Sequence, residues 1–182
     1  MEGLRKDAAR NHARIVEAAR DLAARGEPLA LNAVARAADV GVGTVYRHFA
    51  TVEELEEVLV WERFDDLADV LGDAGPGQFE RVLTMHFTLL AEDALFEKVT
   101  ARATLALEQT TKTRNALIEQ LSDLMERARA QGRLRADLDA AGVLSLMCGL
   151  AHAVRSAEIP TDSPQSQALL RVVFDGMRVQ SS

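Results

Sequence analysis

The stretch that decides the fold covers residues 32–49 and reads NAVARAADVGVGTVYRHF. It contains two short segments of helical periodicity separated by a turn at residues 39–41, and a longer periodic segment, about residues 7–25, precedes it. Asn32 is expected to be the N-cap of the first short helix. Three helices in this order, the last two joined by a tight turn, are typical of a helix-turn-helix unit, which places its final helix in the major groove of DNA.

The second short helix, about residues 42–48, has an inward and an outward face. Val45 and Phe49 are four positions apart and are expected to point into the core. On the outward face, an arginine can pair with a guanine edge or a phosphate, and hydroxyl and imidazole groups can donate to phosphate. The candidate DNA-contacting residues are therefore Gly43, Thr44, Tyr46, Arg47 and His48. The alternative is a helical hairpin whose polar residues are only solvated.

The charge of the chain is unevenly distributed. Its net charge of −7 and its pI of about 5.1 argue against a simple nucleic-acid-binding protein, since such domains are usually basic. Residues 1–50, however, hold 8 Lys and Arg against 6 Asp and Glu, a net charge of +2, whereas residues 51–182 have a net charge of −9. Arg5, Lys6 and Arg10 form a basic N-terminal arm. Because a net charge of +2 is modest, affinity for DNA would need two copies of the unit or good base contacts.

The remainder of the chain is also expected to be helical, so the predicted fold is all-α. Thr51 and Glu54 have the spacing of a capping box and predict the start of a long helix that ends at about residue 71. Further amphipathic helices are predicted at about residues 78–92, 95–109, 112–131, 139–157 and 165–179.

We expect the chain to divide into two domains. Residues 1–50 would form the three-helix DNA-binding domain, and residues 51–182 a helical bundle for ligand binding and dimerisation, linked by the helix at about 51–71. A length of 182 residues is enough to bury a sizeable core. The predicted helix 139–157 is apolar on more than one face, which indicates either a central place in the bundle or a contact with a second subunit.

Several other classes of protein are disfavoured. No apolar run reaches about 18 residues, and the N-terminus lacks the apolar segment of a signal peptide, so we expect a soluble, cytoplasmic protein without membrane contact. The single cysteine, Cys148, cannot form an internal disulfide and is expected to be a buried small hydrophobe. The sequence shows no glycine-rich phosphate loop, no paired metal-binding histidines and no nucleophile elbow, so we expect no enzyme activity, no metal and no cofactor.

The motifs resemble those of the TetR/AcrR family of bacterial transcriptional regulators over about residues 10–60. The matching residues follow the pattern Arg14-Ile15-Val16-x-Ala18-Ala19-x-x-Leu22, then Gly26, then Val34-Ala35-x-x-Ala38-x-Val40-x-x-Gly43-Thr44-Val45-Tyr46-x-His48-Phe49. The resemblance implies a homodimer, usually a repressor, that binds a pseudo-palindromic operator and is released by a small-molecule effector. It also implies dimerisation through the last two helices, here about 139–157 and 165–179, and DNA contacts by the outward residues of the helix 42–48.

Four positions depart from the family pattern. Asp39 stands where the turn usually has glycine, and Gly41 replaces the usual Ser or Thr cap of the recognition helix. Val42 and Val52 stand where lysine is frequent. These departures weaken the expected grip on phosphate, so Arg47 and the basic arm would carry more of it. They also motivate an alternative, a helical small-molecule-binding protein with a vestigial helix-turn-helix.

Apolar residues of the C-terminal half provide candidates for the effector site. A pocket lined by large apolar side chains with one or two polar groups would suit a mostly apolar ligand. The candidate residues are Trp61, Phe64, Met85, His86, Arg102 and Met147. The alternative is structural: His86 lies on an apolar helix face where a core histidine is common, Arg102 could be an ion-pair partner, and Met147 could belong to the core.

Overall fold

The structure, a computed structural model, describes the backbone of residues 2–179 and, within that range, every side chain except those of residues 2–5 and 76. Arg5 of the predicted basic arm therefore lies outside the described side chains. The described range contains ten α-helices, one short 3₁₀ turn at Pro76–Gln78 and no strand, which confirms the all-α prediction. The helices are α1 Glu2–Ala24, α2 Leu31–Ala37, α3 Val42–His48, α4 Val52–Leu59, α5 Trp61–Gly72, α6 Phe79–Glu92, α7 Ala94–Thr100, α8 Glu108–Ala130, α9 Ala140–Ser156 and α10 Pro164–Met177.

The chain forms two compact units. The first extends to Trp61 and includes Ala103–Thr110; the second consists of Glu62–Arg102 and the chain from Thr111 onward. Helix α8 therefore begins in the first unit and continues in the second. The expected functional division at residue 50 stays a prediction.

The core of the first unit joins the helices of the predicted helix-turn-helix to α1 and α4. Ile15 of α1, Val34 of α2, Val45 of α3 and Leu55 of α4 are fully buried in one cluster. Each comes from the apolar stripe of its helix, so burial of these stripes sets the arrangement of the four helices. The inward direction predicted for Val45 and Phe49 is confirmed, because both are buried.

Two helices of this unit end with a residue in the left-handed region. Gly26 after α1 has φ of +69°, and the N–H of Glu27 donates to the carbonyl of Leu22. Asp39 after α2 has φ of +50°, and the N–H of the next residue likewise reaches back to α2. Both are glycine-type helix ends, and the second is made by an aspartate. The predicted cap at Asn32 is wrong, because α2 begins at Leu31 and has no side-chain cap.

The predicted long helix 51–71 is interrupted. Thr51 Oγ1 accepts from the Glu54 N–H at 3.2 Å as expected, whereas the Glu54 carboxylate accepts from the Ala50 N–H rather than from that of Thr51. Helix α4 then ends at Leu59, and Val60 leaves helical geometry with ψ of 3°. The break coincides with a bond within the first unit, in which the Trp61 indole N–H donates to Thr110 Oγ1 at 3.0 Å.

The predicted helix 95–109 is too long, because α7 ends at Thr100. The hydroxyl of Thr100, the last residue of α7, donates to carbonyl oxygens of Phe96 and Glu97. Farther along, the fully buried Glu57 carboxylate accepts the N–H groups of Ala106 and Leu107 at 2.6 and 2.9 Å. Residues 106 and 107, whose N–H groups make these hydrogen bonds, belong to no helix, and α8 begins at the next residue, Glu108.

The core of the second unit lies between α6, α7 and α9. Leu83, Phe87, Phe96 and Met147 are fully buried, and the ring of Phe96 meets that of Phe64 edge to face at 5.3 Å. The predicted helices 78–92, 139–157 and 165–179 correspond closely to α6, α9 and α10. Across residues 2–179, none of the helices is both long and apolar enough to cross a membrane.

Candidate DNA-binding surface and ligand cavity

Helix α3 presents an open face opposite its buried anchor. Val45 is fully buried, whereas the side chains of Tyr46 and Val42 are 51% and 43% exposed. Gly43 and Arg47 are exposed as well, and Thr44 is half-buried. The outward direction predicted for most of the candidate residues therefore matches the structure; contact with DNA stays a prediction.

Arg47 lies along its own helix. Its Nε donates to the Gly43 carbonyl oxygen at 3.1 Å, and Nη2 donates to Thr44 Oγ1 at 3.2 Å. The structure thus brings three of the predicted contact residues together in one bonded group. A guanidinium has five N–H donors, so this arrangement leaves several of them for a phosphate or a base edge.

His48 is half-buried and packs toward α1. Its ring meets that of His12 edge to face at 5.7 Å, and His12 in turn lies 5.3 Å from the ring of Phe49. Burial is the main cause that lowers the pKa of His12, and the nearby charge of His48 lowers it further. His12 was not predicted from the sequence, although its position three residues before the buried Ile15 placed it on the same helix face.

The turn before α3 is held from α1. Arg14 Nη2 donates to the carbonyl oxygen of Asp39 at 3.1 Å. The N-cap position of α3 is Gly41, which offers no side-chain bond to the free N–H groups of the first turn. The absence of a Ser or Thr hydroxyl at this position, which the sequence already indicated, therefore leaves α3 without a side-chain N-cap.

The second unit contains a cavity of about 460 Å³. Side chains from α5, α6, α7, α8 and α9 line it, and most of them are apolar. Among the candidate ligand-site residues, Phe64 and His86 line this cavity. Its size is within the usual range of small-molecule sites.

The other four candidates lie elsewhere. Trp61 belongs to the first unit, and Met147 is fully buried core on α9. Met85 is half-buried, and Arg102 follows the end of α7, where its carbonyl oxygen accepts from Arg114. None of these four is among the lining residues. The early ends of α4 and α7 explain the positions of Trp61 and Arg102, since both lay within longer predicted helices, 51–71 and 95–109.

Polar groups of the cavity include two that the sequence reasoning missed, Arg114 and Asn115 of α8. Burial lowers the pKa of His86 to about 4, so its imidazole is neutral at neutral pH, and its buried Nδ1 has no hydrogen-bond partner within the described part of the chain. Cys148 is half-buried at the cavity rather than fully buried as expected. Burial raises the pKa of its thiol, and a hydrogen bond with Thr100 opposes that rise.

Metal chemistry has no visible basis in the described residues. No group of three or more His, Cys, Asp or Glu side chains in residues 2–179 is arranged to hold a metal ion.

Comparisons with known proteins place both parts of the chain in one group. Residues 15–58 match the model of the bacterial regulatory proteins, tetR family, and residues 78–179 match that of the transcriptional regulator SbtR-like, C-terminal domain. No curated protein matches the chain.

Solved structures agree with these matches. A TetR transcription regulatory protein from Mycobacterium vanbaalenii is 32% identical, with 97% of this chain and 99% of that chain covered and a TM-score of 0.54. A putative tetR family regulator from Shewanella sp. PV-4 is 16% identical (93% and 99% covered, TM-score 0.66), and FadR from Bacillus subtilis in complex with stearoyl-CoA is 20% identical (90% and 96% covered, TM-score 0.59). These two show the fold alone. These proteins are transcription regulators and not enzymes. Two segments of this chain match family models, and one relative is 32% identical over nearly the whole chain. Together with the helix-turn-helix, these findings show that this chain belongs to the TetR family of DNA-binding transcriptional regulators.

Proposed function

We propose that this chain is a homodimeric repressor that binds a pseudo-palindromic operator through α3 and leaves it when a mostly apolar small molecule occupies the cavity of the second unit. The single observation that carries the DNA-binding part is the bonded group Arg47–Gly43–Thr44 on the open face of α3. Two such helices in a dimer would enter successive major grooves roughly one helical turn apart.

The dimer is supported by exposed apolar residues on the last two helices. Leu146 of α9 is 47% exposed, and Leu169 and Val172 of α10 are 36% and 71% exposed. Large apolar side chains exposed on two successive helices are typical of a surface that a second subunit covers. These are the helices that the family resemblance assigns to dimerisation.

The effector part is supported by the apolar cavity. A ligand can change operator affinity only if it binds the DNA-competent and the DNA-incompetent conformations with different affinity. FadR from Bacillus subtilis, whose structure was solved in complex with stearoyl-CoA, is an example of this fold holding a molecule with a long apolar part.

The test begins with selection of bound sequences from a random DNA pool, which reports binding and half-site spacing together. Affinity for the selected operator is then measured over a range of salt concentrations for the unmodified protein, Arg47→Ala and, as a matched control, Arg127→Ala on the exposed surface of α8. We expect Arg47→Ala to weaken binding at least about tenfold, and, if the arginine contacts phosphate, to reduce the salt slope by about one. Arg127→Ala should change neither.

A different result would support the alternative of a small-molecule-binding protein with a vestigial helix-turn-helix. In that case the protein would bind no DNA even at low salt and would still hold a ligand. The uncapped start of α3 and the exposed Val42 at a position where the family often has lysine are the observations that favour this alternative.

A further inference from the structure

The charge of the cavity in the second unit is one-sided. Its lining includes Arg114, whose side chain is positively charged, and no Asp or Glu. The two other titratable lining groups are His86 and Cys148, and neither supplies a negative charge at neutral pH. An organic cation would therefore find no counter-charge among the described lining residues and would be repelled by Arg114.

Arg114 is held in place without an acidic partner. Its Nη1 donates to the carbonyl oxygen of Arg102 at 2.8 Å, and the described residues contain no ion pair that involves Arg114. The side chain is half-buried. A charge that is partly removed from water is stabilised by an anion, and the planar fork of arginine matches the two oxygens of a carboxylate.

His86 adds a second polar group to the same cavity. It is buried, and its Nδ1 has no partner within residues 2–179. A buried polar atom without a hydrogen bond is rare in native proteins and commonly indicates a bound water or ligand group. The neutral imidazole can donate one hydrogen bond, which suits the oxygen of an acid.

Most of the remaining lining is apolar, although Thr100, Asn115 and Ser145 also line the cavity. Leu67 and Leu71 of α5, Phe96 of α7, and Ile118 and Leu121 of α8 form walls that favour a hydrocarbon or an aromatic ring over a polar molecule.

We propose that the cavity binds an apolar monocarboxylic acid, with the carboxylate paired to Arg114 and within hydrogen-bond reach of His86, and the hydrocarbon part against the leucine and phenylalanine walls. The proposal rests on the proposed function in that the cavity is taken to be the effector site.

The first test compares three molecules of equal chain length on the full-length protein: decanoate, decanol and decylamine, each below its aggregation concentration. Binding is measured by titration calorimetry at pH 7.5. We expect decanoate to bind at least about tenfold more tightly than decanol, because it adds a hydrogen bond to a charged group, and decylamine to bind most weakly. Equal affinities, a preference for the amine, or no binding of decanoate would overturn the proposal.

The second test assigns the preference to a residue. Arg114→Met should lower decanoate affinity at least about tenfold and leave decanol affinity unchanged, whereas the matched variant Arg127→Met on the same helix should change neither. Arg114→Lys should keep a reduced preference for the acid, since it retains the charge but loses the fork. A loss of decanol binding equal to that of decanoate in Arg114→Met would contradict the pairing. If Arg114→Met does not fold, the ligand comparison on the unmodified protein and on Arg114→Lys decides.

Operator affinity with and without decanoate separates this proposal from the proposed function. If decanoate binds through Arg114 but operator affinity does not change, the carboxylic-acid proposal is supported and the proposed release of the operator by the ligand is contradicted. If an apolar amine or alcohol releases the operator and decanoate does not bind, the proposed ligand response is supported and the carboxylic-acid proposal is overturned.

Discussion

Arg14, in the middle of α1, donates from Nη2 to the backbone carbonyl of Asp39, the left-handed residue that closes the turn of the helix-turn-helix. The Asp39 carboxylate lies 3.4 Å from the same Nη2, but it is almost fully exposed. The bond to the carbonyl depends on the backbone and not on the residue type at position 39. The turn therefore closes without the family's usual glycine because α1 holds its main chain.

The effect of a substitution at Asp39 on the free energy of unfolding should depend on how well the new residue tolerates a positive φ. A residue with a Cβ is strained at φ of +50°, and Asp and Asn tolerate this region better than Ala does. We expect Asp39→Gly to keep or raise the free energy of unfolding, Asp39→Asn to leave it nearly unchanged, and Asp39→Ala to lower it by about 1 kcal/mol. Urea denaturation measures all three. If the Gly variant were as unstable as the Ala variant, the carboxylate and not the backbone would control the turn.

Gly43→Ala should separate stability from DNA binding. Apart from its chain neighbours and the backbone of its own helix, a Cβ at Gly43 would meet no atom of the described protein within 4 Å. Alanine favours a helix by up to about 1 kcal/mol over glycine. We expect an unchanged or higher melting temperature together with at least about tenfold weaker operator binding, because the added methyl group would push the DNA away from α3. Fluorescence anisotropy with labelled operator measures the second quantity.

The control for this variant is Gly72→Ala at the end of α5, where a Cβ is equally free of neighbours. It should leave operator affinity unchanged. Full operator affinity in Gly43→Ala would show that the DNA backbone does not come close to this part of α3.

His86 should make the folded state sensitive to acid. Its pKa is about 4 in the folded protein and about 6.5 in an unfolded chain, so between these values only the unfolded chain takes up the proton. The stability that depends on neutral His86 is complete above pH 6.5 and is lost as the pH falls toward 4. The full loss is about 3 kcal/mol, of which about 2 kcal/mol has occurred by pH 5.

Urea denaturation at pH 8 and pH 5 tests this dependence on the unmodified protein and on His86→Leu. The variant lacks the titrating group. Between pH 8 and pH 5, its loss of unfolding free energy should therefore be smaller than that of the unmodified protein by about 2 kcal/mol. Parallel losses in the two proteins would show that His86 is protonated in both states or in neither.

Val172→Asp should weaken the dimer. Val172 is the most exposed of the large apolar residues on α10, and a carboxylate there would be desolvated on association without a partner. We expect the dimer dissociation constant to rise at least about tenfold. Sedimentation velocity over a range of concentrations measures it. Val179→Asp, also at an exposed valine but beyond the end of α10, serves as the control, and an equal effect there would place the interface elsewhere.

Local patterns in the sequence were sufficient for most of the fold. The bond between Thr51 and Glu54 joins residues within one turn of each other, and it was predicted. The helix ends near Val60 and Thr100 were missed. The chain around them is held by Glu57, whose carboxylate binds N–H groups 49 and 50 residues away, and such a partner is invisible to periodicity.

The candidate sites show the same difference. The outward residues of α3 follow from one helical face, so their exposure could be predicted from spacing alone. The contact of His48 with His12 depends on how α3 packs on α1. The position of Arg114 at the cavity likewise depends on where α8 packs within the second unit. The sequence of α8 around Arg114 is that of an ordinary polar helix, so it does not indicate a cavity residue.

The attachment of Arg47 to its own helix would also affect the entropy of the proposed DNA contact. A free arginine side chain loses up to about 2 kcal/mol of rotamer entropy when it is immobilised on a ligand. Here the bonds to Gly43 and Thr44 already restrict the side chain in the unbound protein, so part of that loss occurs during folding and not during association. In the proposed complex, a recognition helix with so little positive charge around it would gain affinity from this preordering. A variant such as Thr44→Val, which removes one of the two bonds, would then bind DNA with a larger unfavourable entropy.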